Sequence, residues 1–528
     1  MSANPNSSSH STARAQVLQA AGIVMMAMVL SRLLGLGRDV VINYYYDALS
    51  LEANAYAIAS RYPQLIFTVI AGGALGSAFI PTFAAYFARD DAEGGWRLFS
   101  VIINLATLAT TVVAGITFLF TPQIVRLAYP ELVRDNAALL PMTADLMRVM
   151  LLSPIIFGVS GVVMGALNAR QHFLLPALAG SVYNIGIMLG AVLWPGNVMG
   201  LGYGVVIGSL GHLLVQMPAL RQKQARYTPY LTLRDPGVRQ VLRLMAPRVV
   251  GLSFSEITIV VTQFLAQVMP LGSIRALDQA WRVMSMPLGF LGQALGIAAF
   301  PTFATLAAEA NFRDMRRILA DTLRLITFLG LPAAVLLGVL RRPLITLFFQ
   351  RGDFGETATQ YVAWALLFYA VGLVSLAAIE VIARAFYALG DTVTPVLAGA
   401  AQLLLMIVLG LWFSRTLFPA LEWLPFGGLA LGHSLSNWVE MGILLWLLRR
   451  KMGGVDGRHL WDGVWRMTVA ALALGLAAQF TYHISQEAGV LLSLVLGGTA
   501  GGLAYLAVSL VLHLREPYLL LRPLRRRA

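Results

Sequence analysis

The chain contains no cysteine. Disulfides, iron–sulfur clusters and thiolate sites are therefore excluded, and cysteine usage leaves the compartment open. Charge is also scarce. Only 12% of residues are Asp, Glu, Lys or Arg, about half the share of a typical soluble domain. Acids are the rarer sign, 25 against 38 basic residues. The seven histidines are scattered and form no H-E-x-x-H pattern, so hydrolase and metal chemistry lack a motif. No G-x-x-x-x-G-K-[ST] phosphate loop occurs either, which removes the usual sign of nucleotide-driven work. The apolar stretch that follows the polar, Ser-rich residues 1–18 has no small-residue cleavage site. Those residues read as a flexible cytoplasmic tail and not as a removed signal peptide. Neither a cofactor nor a metal is called for.

Apolar residues dominate what is present: 58% of the chain, with a mean hydropathy of +0.73. Apolar runs recur at roughly bilayer-crossing length along all 528 residues. Backbone polar groups in lipid must be satisfied internally, so such runs are helices or a closed barrel. These runs are continuous and rich in Leu, Ala, Val and Gly, without ten-residue alternation, which selects helices. The expected fold is an all-α polytopic membrane protein of about 14 transmembrane helices. Spans are expected near 19–46, 54–88, 98–121, 143–169, 174–194, 199–220, 239–269, 274–308, 318–341, 357–389, 393–413, 427–450, 462–482 and 489–513. The longest must tilt or kink. Pro63, the Gly72-Gly73 pair and Pro287 are the candidate bend or hinge points.

The net charge of +13 would suggest nucleic acid in a soluble protein. Here Lys and Arg sit between apolar runs, so topology is the better explanation and nucleic acid is not an expected partner. One set of alternate loops carries Arg89, Arg97, Arg170, Arg221, Lys223, Arg226, Arg313, Arg316 and Arg449. The C-terminal tail adds Arg515, Arg522, Arg525, Arg526 and Arg527. The other set has few. Positive charge stays inside, which puts the first set and both termini in the cytoplasm.

The chain also repeats itself. Residues 72–88 read GGALGSAFIPTFAAYFA and residues 292–308 read GQALGIAAFPTFATLAA, with ten of seventeen positions identical at an offset of 220. Pro176-Ala-Leu-Ala-Gly180 against Pro395-Val-Leu-Ala-Gly399 gives an offset of 219. Six spans per repeat is an even number, so both halves share one orientation. Two such lobes facing each other across a central cavity is the transporter arrangement this symmetry favours. The expected organisation is an N-lobe over 19–221, a C-lobe over 222–451, and two further helices with a basic tail over 452–528.

Ionisable residues inside the spans carry the functional signal. Arg32, Arg38 and Asp39 fall in the first span and Arg61 in the second. Arg275, Asp278 and Arg282 fall in the eighth. An arginine at mid-bilayer costs about 2.5–3.5 kcal/mol, so four unpaired would cost about 10–14 kcal/mol. That rivals the whole stability of a domain. Each must be paired, snorkel to an interface, or face a wet cavity. Arg61 and Arg282 take equivalent places in the two repeats and would face each other across the axis. Arg32 and Arg38 are six apart and share a stripe only if Gly35-Leu36-Gly37 unwinds. Asp39 could neutralise Arg38. Glu256 and Glu380 stand as isolated intramembrane acids. Glu256 and Asp39 are the candidates for ion or proton coupling. A cationic chamber of this kind suits phosphate, because guanidinium is always charged and binds phosphate oxygens in pairs.

Several segments carry a resemblance. Ser31-Arg-Leu-Leu-Gly-Leu-Gly-Arg-Asp39, Arg61-Tyr-Pro-Gln-Leu65 and Gly73-Ala-Leu-Gly-Ser-Ala-Phe-Ile-Pro81 resemble the opening of the MurJ (MviN) lipid II flippases. Asn168-Ala-Arg-Gln-His-Phe173, Phe349-Gln-Arg-Gly-Asp-Phe354 and Arg384-Ala-Phe-Tyr-Ala-Leu-Gly-Asp391 extend the similarity in order along the chain. The resemblance implies the fold of the multidrug/oligosaccharidyl-lipid/polysaccharide exporters and alternating access. It implies transport of the undecaprenyl-diphosphate-linked peptidoglycan precursor, lipid II, to the outer leaflet. The family's functional arginines fall on Arg32, Arg38, Arg61 and Arg282, and Arg275 on the same helix is a fifth candidate for binding the substrate. The final two helices would help form a groove for the lipid tail. The chain departs from the family where acids or an arginine are usual. It has Asn54, Phe67, Gly72, Trp281 and Ser285 at those places, so the chamber has fewer charges of both signs.

A lipid II flippase is thus the expected function, with lipid II and membrane lipids as partners, cell-wall synthesis proteins as candidate neighbours, and a monomer as the unit. It is a transporter, not an enzyme. The rivals are an exporter of another polyprenyl-linked glycan or amphipathic molecule, and a non-transporting scaffold for cell-wall synthesis. A membrane-embedded transferase on polyprenyl phosphates would need an acidic metal cluster that the sequence lacks.

Overall fold

The computed structural model describes residues 26–27, 29–70 and 73–518. All regular structure among the described residues is helical. The chain forms two compact units, Met1–Gln267 and Val268–Ala528. The first holds α1 (29–45), α2 (Leu51–Ile70), α3 (Gly73–Ala88), α4 (Ala92–Leu119), α5 (Leu139–Ala169), α6 (Leu174–Leu193), α7 (Met199–Gln222) and α8 (Pro236–Ala266). The second holds α9 (Ser273–Ala308), α10 (Phe312–Val339), α11 (Glu356–Ala370), α12 (Leu373–Ala388), α13 (Val393–Ala420), α14 (Phe426–Met452), α15 (Gly457–Ile484) and α16 (Val490–Val511). Short helices Thr121–Ala128 and Pro130–Asp135 follow α4, and Arg341–Phe349 follows α10.

Among the described residues nine helices are long and apolar enough to cross a membrane, and α11 with α12 makes a tenth as a bent pair. α2 and α14 fall short of that test because they carry polar and charged residues. The span expected over 54–88 contains two helices, α2 and α3. The span expected over 357–389 is broken at Val371-Gly372, where its halves bend by 46°. Breaking a helix frees backbone carbonyls, and α14 supplies donors for them. Ser434 Oγ donates to Phe368 O (2.7 Å) and Trp438 Nε1 to Val371 O (2.9 Å). The same device covers Pro332 inside α10. Proline has no N–H for the carbonyl four residues back, and the Tyr505 hydroxyl of α16 donates to that Phe328 carbonyl at 2.8 Å.

Of the expected hinge points, Gly72 and the tail 1–18 lie outside the described residues, as do Arg522, Arg525, Arg526 and Arg527 of the C-terminal tail. Gly73 begins α3. Pro287 lies in α9 directly before a π-helical turn, Gly289–Ala294, where one extra residue per turn widens the helix. Gly35-Leu36-Gly37 does not unwind. α1 is helical throughout 29–45, so Arg32 and Arg38, six apart, lie on different faces.

The repeat extends to backbone detail. Asp91 caps α4 by accepting from Gly94 N (2.8 Å). Asn311, 220 positions later (311 − 91), caps α10 by accepting from Asp314 N (3.3 Å). The residues before them, Asp90 and Ala310, both turn through the left-handed region at φ 58° and 53°.

Glycine closes the hairpins. A Cβ on Gly190 of α6 would fall 2.6 Å from Gly204 Cα of α7, and one on Gly186 would collide with Gly208. A Cβ on Gly432 of α14 would fall 2.6 Å from Gly410 N of α13. α15 and α16 meet similarly, with Gly501 facing Leu474 O at 3.0 Å. Lipid supplies no hydrophobic drive between helices, so close backbone approach through small residues holds them together. Gly190→Val and Gly432→Val are each expected to destabilise the protein by about 3 kcal/mol, because backbone cannot yield. Gly115→Val, whose Cβ meets nothing within 4 Å, is expected to be silent. Thermal unfolding of the purified chain in detergent distinguishes them.

Asp391 ties the loop before α13 to the end of α14. Its oxygens accept from Val393 N (3.1 Å), Thr394 N (2.9 Å) and Thr394 Oγ1 (2.6 Å), and it pairs with Lys451 Nζ. Burial alone would raise this carboxyl. The bonds from Lys451 and Thr394 and the Lys451 charge outweigh burial and hold it down at about 2. A depressed acid stabilises fully above its unfolded pKa, about 3.9, and loses that stabilisation as pH falls through about 2. Asp391→Asn should therefore melt below wild type at neutral pH. The gap should narrow as pH drops from 4 towards 2, measured by melting temperature against pH.

Candidate functional site

A guanidinium in an apolar helix needs a counter-charge within reach, and each arginine cluster here has one. In α1, the Arg38 Nη2 and Nε bond Asp39 Oδ1 at 2.8 and 3.1 Å. The Nη1 donates to Asn184 Oδ1 of α6 at 3.1 Å. Asn184 also donates to Ser31 O (3.2 Å) and Gly180 O (3.0 Å), so it bridges α1 and α6. Gly180 leaves the space that Ser31 occupies: a Cβ there would fall 2.8 Å from Ser31 Oγ. Arg32 is exposed on another face of α1.

Arg61 is buried in α2, and its Nη1 lies 3.7 Å from Glu256 Oε2 of α8. Thr68, two turns further along α2, donates its hydroxyl to Glu256 Oε1 at 3.1 Å. Gln64 between them donates to Thr68 Oγ1 at 3.3 Å. α8 is held in this unit at its other end too. Tyr129 donates to Gln263 Oε1 (2.9 Å), and Gln267 bonds Ala128 O (3.2 Å) and Glu131 N (3.3 Å).

In the second unit Asp278 sits between two arginines of its own helix. The Arg282 Nε bonds Asp278 Oδ2 at 3.0 Å, and Arg275 Nη1 stands 3.7 Å from the same oxygen. Helical spacing of three and four residues places all three on one face. Arg275 is 1% exposed and Arg282 is 34% exposed at the side chain, so only Arg282 is open to a solute. Trp281 turns the other way and packs edge-on against Tyr369 and His433. The π-turn beyond Pro287 rests on α12, where Gly292 meets Ala377 and Glu380.

The two intramembrane acids are not isolated. Glu256 faces Arg61 and Thr68, and Glu380 bonds Arg384 at 2.9 Å. Counter-charges are also less depleted around the arginines than the departures at Gly72, Trp281 and Ser285 suggested. Glu256 and Asp278 bring carboxylates to Arg61 and Arg282 from other positions. Sequence reasoning missed Asn184 and Thr68. Asn184 could have been flagged as a lone amide in an apolar run, whereas Thr68 offers no signal because a membrane helix satisfies Thr hydroxyls locally.

Solved structures share this fold, among them the two that follow. A lipid II flippase MurJ in an inward closed conformation aligns at a TM-score of 0.74 and 23% identity, covering 92% of this chain and 98% of that one. An inward-facing multidrug resistance MATE family transporter of the MOP superfamily aligns at 0.68 and 14% identity, covering 83% and 99%. The architecture, two repeat-related helical units with guanidinium groups set inside apolar helices, is thus the multi-pass helical fold of those two proteins. The family model for lipid II flippase MurJ matches residues 48–519. A probable lipid II flippase MurJ of Vibrio cholerae is 28% identical over 530 residues, covering 94% of this chain and 96% of that protein. The chain belongs to the lipid II flippase MurJ family.

Removing one partner of a buried pair leaves an uncompensated charge. Asp278→Asn is expected to lower the unfolding free energy by about 3 kcal/mol. Asp39→Asn should cost less, because Asn184 still accepts from Arg38. Melting temperatures of the two variants in detergent test the order.

Proposed function

We propose that the protein is a flippase that carries lipid II, the undecaprenyl-diphosphate-linked peptidoglycan precursor, from the inner to the outer leaflet by alternating access. Family membership supports the lipid class. The observation that carries the reading is the placement of guanidinium groups inside membrane helices. Arg61 stands 3.7 Å from its carboxylate, beyond hydrogen-bond length, and Arg282 is partly open to solvent. Each unit offers its own set: Arg32, Arg38 and Arg61 in the first, Arg275 and Arg282 in the second. A phosphate can take a two-pronged bond from such an arginine that a distant carboxylate does not.

No bond of the lipid changes in this reading, so the protein acts as a transporter and not as an enzyme. The membrane potential contributes about 2.3 kcal/mol per charge per 100 mV. With the interior negative, an anionic headgroup moving outward travels downhill. Both termini lie in the cytoplasm, the chain acts as a monomer in the bacterial inner membrane, and cell-wall synthesis proteins are its neighbours. Gly72, Gly73 and Pro287 serve as hinges, and Arg275 holds Asp278 in place for Arg282.

The test is depletion rescue in a flippase-deficient bacterium, scored by the accessibility of lipid II in the outer leaflet. Wild type should restore accessibility, whereas Arg61→Ala and Arg282→Ala should fail at normal membrane levels. Rescue by all three would leave the reading without its cationic site and favour a scaffold. Failure by wild type would favour another amphipathic cargo.

A further inference from the structure

The Glu256 carboxylate is held asymmetrically. Its Oε1 accepts the Thr68 hydroxyl at 3.1 Å. Its Oε2 is buried, stands 3.7 Å from Arg61 Nη1, and takes no hydrogen bond. Thr68 is itself held by Gln64, so the carboxylate cannot turn to improve its bond to Arg61 without losing Thr68. The structure thus brings an anion beside Arg61 but leaves one of its oxygens unbonded. Side-chain exposures of 10% for Arg61 and 14% for Glu256 show a site that is mostly dry yet reached by water.

Resting on the flippase reading above, we propose that Glu256 and the headgroup phosphate compete for Arg61, and that Glu256 takes up a proton from water on Oε2 when the phosphate binds. The charge balance leads there. Arg61 and Glu256 together are neutral. A phosphate added to them sets two anions against one cation in a poorly screened place, and like charges at such a distance disfavour each other's ionised form. Protonating Glu256 restores the balance and converts its unbonded oxygen into a hydroxyl. When the phosphate leaves, Arg61 recovers its carboxylate partner and the proton returns to water. Phosphate binding and proton binding are then linked and must favour each other.

Other groups on the elements around α8 do not take this role. Tyr62 lies next to Arg61 on α2, and Tyr129 is within electrostatic reach of both while donating to Gln263, two turns along α8. Tyr86 of α3 lies near Asp235 at the far, N-terminal end of α8. Glu93 and Arg97 sit in the first turns of α4 and pair with each other. Glu131 meets Gln267 through its backbone. None of these forms an ion pair with Glu256 among the described residues.

Binding of undecaprenyl diphosphate to the purified full-length chain in detergent, between pH 5.5 and 8.5, tests the proposal, with undecaprenol as the uncharged control. The Glu256→Gln variant should follow only the titration of the lipid's own phosphates. Wild-type Kd should rise relative to that variant as pH increases, by up to about tenfold per pH unit for one linked proton. Parallel profiles for wild type and E256Q would overturn the proton linkage alone. No preference of wild type for the diphosphate over undecaprenol would overturn the flippase reading and the linkage with it. Should E256Q fail to fold, proton uptake by wild type in weak buffer decides. About one proton per bound lipid beyond that of the lipid supports the proposal, and none refutes it.

Discussion

A guanidinium group cannot stay charged in hydrocarbon without an anion beside it, and this one constraint organises both units. It is met in two ways. Arg38 with Asp39, Arg275 and Arg282 with Asp278, and Arg384 with Glu380 are pairs within a single helix. Such pairs form as soon as the helix does, so a span carrying them can enter the bilayer already neutralised. Arg61 is different. Its carboxylate neighbour Glu256 lies on a helix that follows much later in the chain. That pair exists only after α8 has come to rest against α2, which makes it a product of tertiary assembly. Arg324 of α10, bonded to Glu516 beyond α16, is a second pair of that kind.

The uncharged polar groups obey the same accounting at the backbone. Every place where a helix is interrupted leaves carbonyls without donors, and lipid offers none. α14 spends Ser434 and Trp438 on the break between α11 and α12, and α16 spends Tyr505 on the carbonyl that Pro332 abandons. These side chains lower the apolar character of α14, which is why it reads weakly as a span although it lies deep within its unit. Buried His433, with Asn437 donating to its carbonyl at 2.7 Å, adds to the same effect. A counterpart exists in the first unit, where Ser160 and Gln216 meet His212. Ser434, Trp438 and Tyr505, uncharged polar residues inside membrane helices, act as structural donors.

This also sets what was readable from the residues alone. Apolar runs, the repeat and the arginines were legible, because length, self-similarity and a charge in an apolar run are local properties. The repeat reaches further than its motif showed, down to matching caps at Asp91 and Asn311. What was not legible was pairing. Arg61 and Glu256 are far apart in sequence, and Glu256 appeared isolated for that reason. Asp278 was visible, yet its shared position between Arg275 and Arg282 depends on side-chain direction along α9. The interruption at Val371-Gly372 left no mark either, since Gly372 alone among apolar residues is compatible with an unbroken helix. The Ser434 side chain of α14 occupies the space a Cβ on Gly372 would need.

The glycine contacts between α6 and α7, and between α13 and α14, carry a mechanical corollary. Where two backbones touch with no side chains interposed, nothing compressible separates them, and sliding one past the other would drive carbonyls into Cα atoms. Those hairpins are therefore stiff struts. Any strain a unit must absorb during a working cycle is displaced onto its softer joints, the bend at Val371-Gly372 and the widened turn after Pro287 in the second unit. Those two stretches interrupt the regular α-helical ladder of the second unit, and the glycine contact between α13 and α14 lies in neither.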